Sequence, residues 1–248
     1  MMTQDTLNKL QQMKLAGMAT GFNEQMMSSN SLHLSFEERF GMLVDQELTY
    51  RENNRLKRLL KAAKLRESAC MEDIDYRSGR GIDRSEMASL ALCQWINQGL
   101  NLVLGGPAGV GKTWLACAFG NQACRKGLSV IFQRLPLLLE DLALSHADGS
   151  FHKRLTQLAK VDLLILDDFG IAAMSASSRN DLLEVLDQRS GRKSTLMTSQ
   201  LPMERWHEYL SGGNLTVADA ILDRLLSGSQ RINLQGESMR KHRSNKKP

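Results

Sequence analysis

A glycine-rich loop of eight residues has the types and spacing that most clearly suggest chemistry in this sequence. It fits the pattern GxxxxGK[ST], follows an apolar stretch at 101–104 and leads into a helical stretch that begins near Trp114. Glycines let backbone N–H groups converge on phosphate oxygens, and a helix N-terminus adds partial positive charge. The predicted nucleotide-binding residues are Gly106, Pro107, Ala108, Gly109, Val110, Gly111, Lys112 and Thr113.

Two acidic residues later in the chain complete the predicted site. In the loop, Lys112 can reach the β- and γ-phosphates of ATP, and the Thr113 hydroxyl can bind Mg²⁺. An apolar run at 163–166 ends in Asp167 and Asp168. A buried strand with this ending would deliver Asp167 to the magnesium ion and Asp168 to the attacking water. We therefore expect ATP and Mg²⁺ as cofactors, with Thr113 and Asp167 as metal ligands and both aspartates in the catalytic set.

Short apolar strands that alternate with helices are expected to hold these residues in place. The predicted strands are 100–104, 129–133, 161–166, 195–198 and 231–234. The predicted helices between them are 112–125, 137–144, 151–158, 179–188 and 218–226. Such alternation is typical of a parallel sheet with helices on both faces. The sequence predicts an α/β protein with a five-stranded parallel sheet.

Basic charge is concentrated in two segments of the 248-residue chain. The segment 51–66 has seven basic residues and one acid, and 240–248 has five basic residues and no acid. These segments carry net charges of +6 and +5 while the whole chain carries +5, so the remainder is net −6. A broad basic face on a helix suits a phosphate backbone, although a merely solvated face is the alternative. The predicted contacts to double-stranded DNA in this helix are Arg51, Arg55, Arg58, Lys61 and Lys64.

Breakers and capping signals suggest how the chain is divided. We predict a helical domain at 1–67, a linker at 68–82, a nucleotide-binding domain at 83–236 and a basic tail at 237–248. Ser35 and Glu38 have the spacing of a capping box that opens a long helix. Gly17 and Gly21 weaken the helix prediction for the stretch before it.

Composition excludes several broad classes. An apolar fraction of 42 % with 24 % charged residues is ordinary for a globular protein and argues against wholesale disorder. No apolar run approaches the roughly 20 residues that a membrane helix needs, so we expect no membrane partner. The start lacks the features of a secretory signal, and the four cysteines form no CxxC pair. These features favour a location in a reducing cytoplasm.

With these motifs placed, the sequence resembles the AAA+ ATPases of the helicase-loader branch, especially the IstB-like helpers of insertion-sequence transposition. The resemblance rests on the phosphate loop, on the run 166–170 that contains both aspartates, and on the segments 14–19, 50–55, 62–65, 198–202, 218–225 and 236–241. It implies a AAA+ P-loop core behind a small all-helical N-terminal domain. Only 14 residues follow the last predicted strand, so we expect no C-terminal lid domain.

The resemblance also implies roles for residues outside the phosphate loop. The polar end of the fourth strand should hold sensor 1, with Ser199 as first choice and Gln200 or Thr198 as alternatives. Arg224 resembles an arginine finger that reaches a neighbouring subunit, against the alternative of a surface arginine.

Three further residues each have two possible roles. Arg240 resembles sensor 2 but could equally belong to the basic tail. Lys153 and Arg154 would face a central channel and contact DNA, or lie on a solvated face. Because Asp168 is one methylene shorter than the more common Glu, hydrolysis is expected to be slow.

The leading interpretation is an ATP-dependent DNA-binding helper that oligomerises on DNA, as a ring or a helical filament, and activates its cognate transposase. The first alternative is a replicative helicase loader of the DnaC type, which would load a protein ring. A metabolic P-loop kinase is a third interpretation. The basic N-terminal segment disfavours the kinase, and the segments 62–65 and 236–241 disfavour the loader.

Overall fold

A computed structural model describes residues 2–28, 33–76 and 79–239, which divide into two compact units between Arg58 and Leu59. Of the segment 68–82, predicted as a linker, the described residues 68–76 and 79–82 belong to the second unit. The segment contains a 3₁₀ turn at Met71–Asp73 and buries Ala69 and Ile74. The glycines at 79 and 81 are breakers in sequence, yet the backbone around them is held by contacts distant along the chain.

The first unit is built from helices α1 (Met2–Gln12), α2 (Ala16–Met27) and the first part of α3 (Phe36–Ala63). Helix α3 starts with a capping box. The Ser35 hydroxyl accepts a hydrogen bond from the Glu38 N–H, and the Glu38 carboxylate accepts one from the Ser35 N–H at 2.8 Å. This reciprocal pair satisfies two donors that a helix start otherwise leaves open.

Gly17 in α2 allows α2 and α3 to pack closely against each other. A Cβ at Gly17 would lie 2.7 Å from the Gln46 carbonyl oxygen, which is too close for any side chain. Beside it, the buried Glu47 carboxylate accepts hydrogen bonds from the Met18 N–H at 3.0 Å and from Arg51 Nε at 2.7 Å. Burial raises the pKa of Glu47, but the hydrogen bonds from Arg51 and the backbone outweigh it and the pKa is lowered.

The second unit contains the five-stranded sheet and the helices around it. Its strands are β1 (Leu102–Gly105), β2 (Val130–Arg134), β3 (Leu163–Phe169), β4 (Ser194–Ser199) and β5 (Gln230–Asn233). Its helices after α3 are α4 (Arg84–Ala91), α5 (Gln94–Asn97), α6 (Lys112–Arg125), α7 (Leu135–Ala147), α8 (Phe151–Lys160), α9 (Ala176–Arg189), α10 (Trp206–Ser211) and α11 (Leu215–Leu226). All strands are parallel, in the order β2-β3-β4-β1-β5. The predicted α/β class and five-stranded parallel sheet are confirmed.

Helix α10 is absent from the sequence prediction. It has only six residues, too few for a periodic pattern, and it forms because Trp206 is completely buried against the ring of Phe169. Helix α11 begins three residues earlier than predicted, at Leu215, because the Asn214 side chain caps it by accepting from the Val217 N–H.

The sheet brings the carboxyl ends of its central strands to one edge. Gly105 at the end of β1 pairs with Ser199 at the end of β4. The apolar run at the start of β3 is completely buried, and the β3–β4 register shifts between Leu166 and Phe169, where the two aspartates stand. In the described residues no helix is long and apolar enough to cross a membrane.

Candidate nucleotide-binding site

The phosphate loop connects β1 to α6, as the sequence predicts. Gly106, Gly109 and Gly111 have φ angles of +137°, +83° and +100°, in the region that favours glycine. A Cβ at Gly106 would collide with the Leu234 carbonyl oxygen, and one at Gly109 with the Ser238 hydroxyl. The glycines are therefore required both by the turn of the loop and by the chain after β5, which packs against it.

Lys112, the first residue of α6, is folded back onto the loop. Its ammonium donates to the carbonyl oxygens of Gly106 at 2.6 Å and Pro107 at 2.7 Å, and the residue is only 7 % exposed. A cation at this helix N-terminus, between converging glycines, suits the β- and γ-phosphates of a nucleotide.

Asp167 at the end of β3 lies next to the second polar residue of the loop. The Thr113 hydroxyl is 2.9 and 3.0 Å from its two carboxylate oxygens, and the Thr198 hydroxyl donates to one of them at 2.5 Å. Burial raises the pKa of Asp167, and the nearby Asp168 charge raises it further, against the opposing hydrogen bonds from the two threonines. A hydroxyl and a carboxylate are hard oxygen ligands, so Thr113 and Asp167 fit a magnesium ion.

Asp168 is paired with an arginine that the sequence analysis missed. The Arg134 Nε at the end of β2 is 2.9 Å from the Asp168 carboxylate, whose side chain is 16 % exposed. Asp168 has a φ of +67°, unusual for a non-glycine residue, and its N–H donates to the Thr198 hydroxyl at 3.1 Å. Arg134 directly follows the predicted strand 129–133, and Asp168 follows the predicted strand 161–166. Because these strands are parallel neighbours, their carboxyl ends lie side by side, and this placement is the signal that could have revealed the ion pair.

A cavity of about 570 Å³ joins these groups. From the loop, Gly109, Gly111, Lys112 and Thr113 line the cavity, whereas Gly106, Pro107, Ala108 and Val110 do not. Arg134, Asp168 and Gln200 line it from the ends of the strands. The remaining lining consists of four residues of the predicted linker and five others: Ser68, Asp73, Asp75 and Arg80, with Arg66, Glu67, Trp114, Ile171 and Met239. The cavity is large enough for a nucleotide.

The structure changes the ranking of the residues predicted for sensor 1. Ser199 is completely buried, and its hydroxyl donates to the carbonyl oxygens of Phe169 and Leu201 at 3.0 and 3.1 Å. It also accepts from the Leu201 N–H, so it stabilises the turn after β4 and does not line the cavity. Of the two alternatives, Gln200 lines the cavity and Thr198 contacts Asp167, so both are better placed than Ser199, and the assignment of sensor 1 stays a prediction.

Arg224 lies outside the cavity of its own chain. On α11 its Nε is 2.7 Å from the Asp187 carboxylate and its guanidinium donates to the Ala220 carbonyl oxygen at 3.0 Å. The side chain is 29 % exposed. Arg240, predicted as sensor 2, lies outside the described residues.

The predicted DNA contacts also lie outside the nucleotide cavity. Five of them are exposed and lie on α3 or just after it: Arg51, Arg55, Arg58, Lys61 and Lys64. On α8, Lys153 is exposed. Arg154 is 23 % exposed and donates to Gln157 at 2.8 Å, with Asp141 3.8 Å away. Arg154 is therefore less available to a partner than Lys153.

Comparison with known proteins identifies a matching family and its members. The family described as IstB-like ATP binding protein matches residues 8–247. A Pseudomonas fluorescens protein named for ATP binding in insertion sequence IS1162 is 56 % identical over 203 residues, which cover 82 % of this chain and 88 % of that protein. A Sinorhizobium fredii protein, also named for ATP binding in an insertion sequence, is 47 % identical over 99 % of this chain and 100 % of its own length.

Solved structures with a similar fold include DnaI and the DnaC helicase loader. The crystal structure of DnaI matches with a TM-score of 0.58 and 25 % identity, covering 68 % of this chain and 92 % of DnaI. The DnaC helicase loader matches with a TM-score of 0.55 and 22 % identity, covering 70 % of this chain and all of that chain.

Proposed function

Because the chain belongs to the IstB-like ATP-binding protein family, we propose that it is an ATPase that assembles on double-stranded DNA and activates the transposase of its insertion sequence. One observation carries this proposal. The Thr113 hydroxyl and the Asp167 carboxylate meet at 2.9 Å beside Lys112, which supports an ATP site with a magnesium ion. ATP binding would then control assembly.

Each side chain of the site has a separate role in the proposed hydrolysis. Lys112 leaves the loop carbonyls and pairs with the β- and γ-phosphates of ATP. Thr113 and Asp167 would hold a magnesium ion, which when bound would neutralise charge on the phosphates. Asp168 orients the attacking water and accepts its proton, and Gln200 or Thr198 senses the γ-phosphate from β4.

The contact between Arg134 and Asp168 bears on the rate. While the guanidinium holds the carboxylate at 2.9 Å, one of the two carboxylate oxygens is occupied by Arg134 and is not available to the attacking water. Full hydrolysis then requires the pair to loosen. This supports slow turnover by the isolated protein and faster turnover in the assembled state.

The first prediction concerns Asp168→Asn. The amide keeps the shape of the carboxylate but cannot accept the proton, so turnover should fall about 10²-fold or more while ATP affinity stays near wild type. Phosphate release and ATP binding are measured on the same preparation. Glu184→Gln, which neutralises an exposed carboxylate on α9, is the control and should hydrolyse normally. Wild-type turnover by Asp168→Asn would remove the role given to this residue.

DNA binding is proposed for the exposed basic side chains on and just after α3. Contacts from lysine and arginine to phosphates release counterions, so their contribution to affinity depends on salt and little on base sequence. The leucines on this helix stay in place when the basic residues are replaced, and alanine has the highest helix propensity. The charge can therefore be removed while the helix is kept.

The second prediction is that replacing Arg55, Arg58, Lys61 and Lys64 by alanine weakens binding to unrelated duplexes by similar factors. Each lost phosphate contact should lower the slope of log affinity against log salt by about 0.9. A salt titration of duplex binding by fluorescence anisotropy measures the slope.

A matched variant controls for the loss of four charges. Replacing Lys9, Lys126, Arg192 and Arg205 by alanine removes four exposed basic residues elsewhere in the chain. This variant should keep the wild-type slope. Equal slopes for both variants would mean that the basic face of α3 is only solvated, and the DNA contacts would then be sought at Lys153 and in the basic tail.

The proposed function is tested most directly by assembly on DNA. Sedimentation of the protein with duplex DNA should show complexes of many subunits with a non-hydrolysable ATP analogue, and far fewer with ADP or without nucleotide. Purified transposase from the same insertion sequence should bind those complexes. Assembly that does not depend on the nucleotide would overturn the proposal.

A helicase loader of the DnaC type is the second candidate, because DnaC has the same fold. A loader would bind a hexameric replicative helicase in place of a transposase. Parallel binding measurements with both proteins distinguish the two functions. A transposase reading frame immediately upstream would also favour the transposition helper.

A further inference from the structure

The guanidinium of Arg80 lies against the phosphate loop, in a segment that the sequence analysis assigned to a linker. It donates to the Val110 carbonyl oxygen at 3.0 Å and to the Asp75 carbonyl oxygen at 2.7 Å. Arg80 is half-buried and lines the same cavity as Lys112 and Thr113. A Cβ at Gly111, the residue before Lys112, would be 3.3 Å from this guanidinium.

The backbone at Arg80 is held as firmly as its side chain. The Arg80 carbonyl oxygen accepts from the Gln235 N–H at 2.9 Å, just after β5. Gly81 follows with a φ of +67°, and a Cβ there would be 2.5 Å from the Asn233 carbonyl oxygen. Arg80 is therefore attached to the end of the sheet by its backbone and reaches the loop with its side chain.

The bond to Val110 controls the orientation of one peptide group in the loop. A trans peptide is planar and points its C=O and N–H in opposite directions. With the Val110 carbonyl held by Arg80, the N–H of Gly111 points away from Arg80 and cannot turn over. A loop that binds phosphate needs converging N–H groups and no carbonyl turned toward the anion, since a carbonyl oxygen would repel it.

We propose that Arg80 is a positioning residue for the polyphosphate of the nucleotide: it holds the Val110–Gly111 peptide in the anion-binding orientation. This inference rests on the ATP site of the proposed function. It requires the guanidinium, because the Asp75 and Val110 carbonyl oxygens are held by two different nitrogens, Nη1 and Nη2, and the shorter lysine side chain has a single nitrogen.

Arg125 provides a matched control for an anchoring role. It attaches the same segment to α6, donating to the Glu72 carboxylate at 2.6 Å and to Cys70 Sγ at 3.4 Å. Unlike Arg80, it does not line the cavity. Replacing Arg125 therefore loosens the segment without touching the phosphate loop.

The experiment compares wild type, Arg80→Gln, Arg80→Lys and Arg125→Gln in the full chain. Affinities for ATP, ADP and AMP are measured by competition against a fluorescent ATP analogue, with thermal unfolding of each nucleotide-free protein. Arg80→Gln should lower the affinities for ATP and ADP about tenfold or more, which is the effect of losing a charged hydrogen-bond donor. AMP has no β-phosphate to place in the loop, so its affinity should change less than about threefold.

The two remaining variants separate positioning from charge and from anchoring. Arg80→Lys keeps the positive charge but lacks the two terminal nitrogens of the guanidinium, so its affinities for ATP and ADP should be close to those of Arg80→Gln. Arg125→Gln should bind all three nucleotides with wild-type affinity. The inference is overturned if Arg80→Lys binds ATP with wild-type affinity, or if Arg125→Gln lowers the affinity for ATP as much as Arg80→Gln does. It is also overturned if Arg80→Gln lowers the affinity for AMP as much as that for ATP, or leaves the affinity for ATP unchanged. Failure of wild type itself to bind ATP would instead overturn the proposed function.

Discussion

The variant Arg224→Ala should bind ATP with wild-type affinity and yet lose at least about 10³-fold in turnover, the contribution of an arginine finger to phosphoryl transfer. Arg224 does not line the nucleotide cavity of its own chain, so its loss leaves ATP binding intact. A guanidinium that reaches the γ-phosphate of a neighbouring subunit would stabilise the charge of the transition state there. The oligomer should also be less stable, because the contact between Arg224 and the γ-phosphate would cross the interface between two subunits.

Two measurements distinguish this role from a local structural one. Asp187→Asn removes the ion pair at 2.7 Å but keeps the guanidinium, and should retain most of the activity. Mixing Arg224→Ala with Lys112→Ala should restore part of the turnover, since some interfaces then pair an intact loop with an intact arginine. Mixtures that never exceed either single variant, in turnover and in assembly, would leave Arg224 a surface arginine.

Lys112→Ala should lower the affinity for ATP by about 10²-fold or more, because two charge-assisted hydrogen bonds to phosphate are lost. The same change removes the contacts of the ammonium to the Gly106 and Pro107 carbonyl oxygens in the nucleotide-free protein. The fold should survive, since the rest of α6 is packed on the sheet. ATP-dependent assembly should disappear. Isothermal titration with ATP and magnesium measures the affinity.

A lysine just after the other end of α6 is the matched control for this variant. Lys126 is exposed and does not line the cavity, so Lys126→Ala should bind ATP like wild type. Thermal unfolding of both variants checks that each is folded. An affinity of Lys112→Ala equal to that of wild type would contradict the assignment of the nucleotide site.

Much of the fold could be predicted because its signals are local. The run at 163–166 is apolar without interruption and becomes the buried central strand β3, and α6 begins and ends where predicted. Motifs spread along the chain predicted the family, which the match over residues 8–247 confirms. In contrast, α10 depends on the burial of one tryptophan and has no period to detect.

Within the site, residue types and spacing predicted which side chains lie close together. A glycine pattern and two aspartates were enough to predict that Lys112, Thr113 and Asp167 would meet, because each is fixed to the end of its own element. The direction in which a side chain points after a strand ends depends on the turn that follows. The Ser199 hydroxyl, the first choice for sensor 1, forms a hydrogen bond within the turn after β4, and this contact could not be predicted from its position at the strand end.

The sequence alone thus determined the family, the parallel sheet and the phosphate loop with its acidic partner, all of which arise from contiguous patterns. Only the tertiary structure decided what surrounds them. Arg134 reaches Asp168 because β2 and β3 are neighbours in the sheet, and Arg80 reaches Val110 because its segment is attached beyond β5. These contacts join residues about thirty positions apart in the chain, a distance at which no periodic pattern connects them, and packing of the whole second unit sets their geometry.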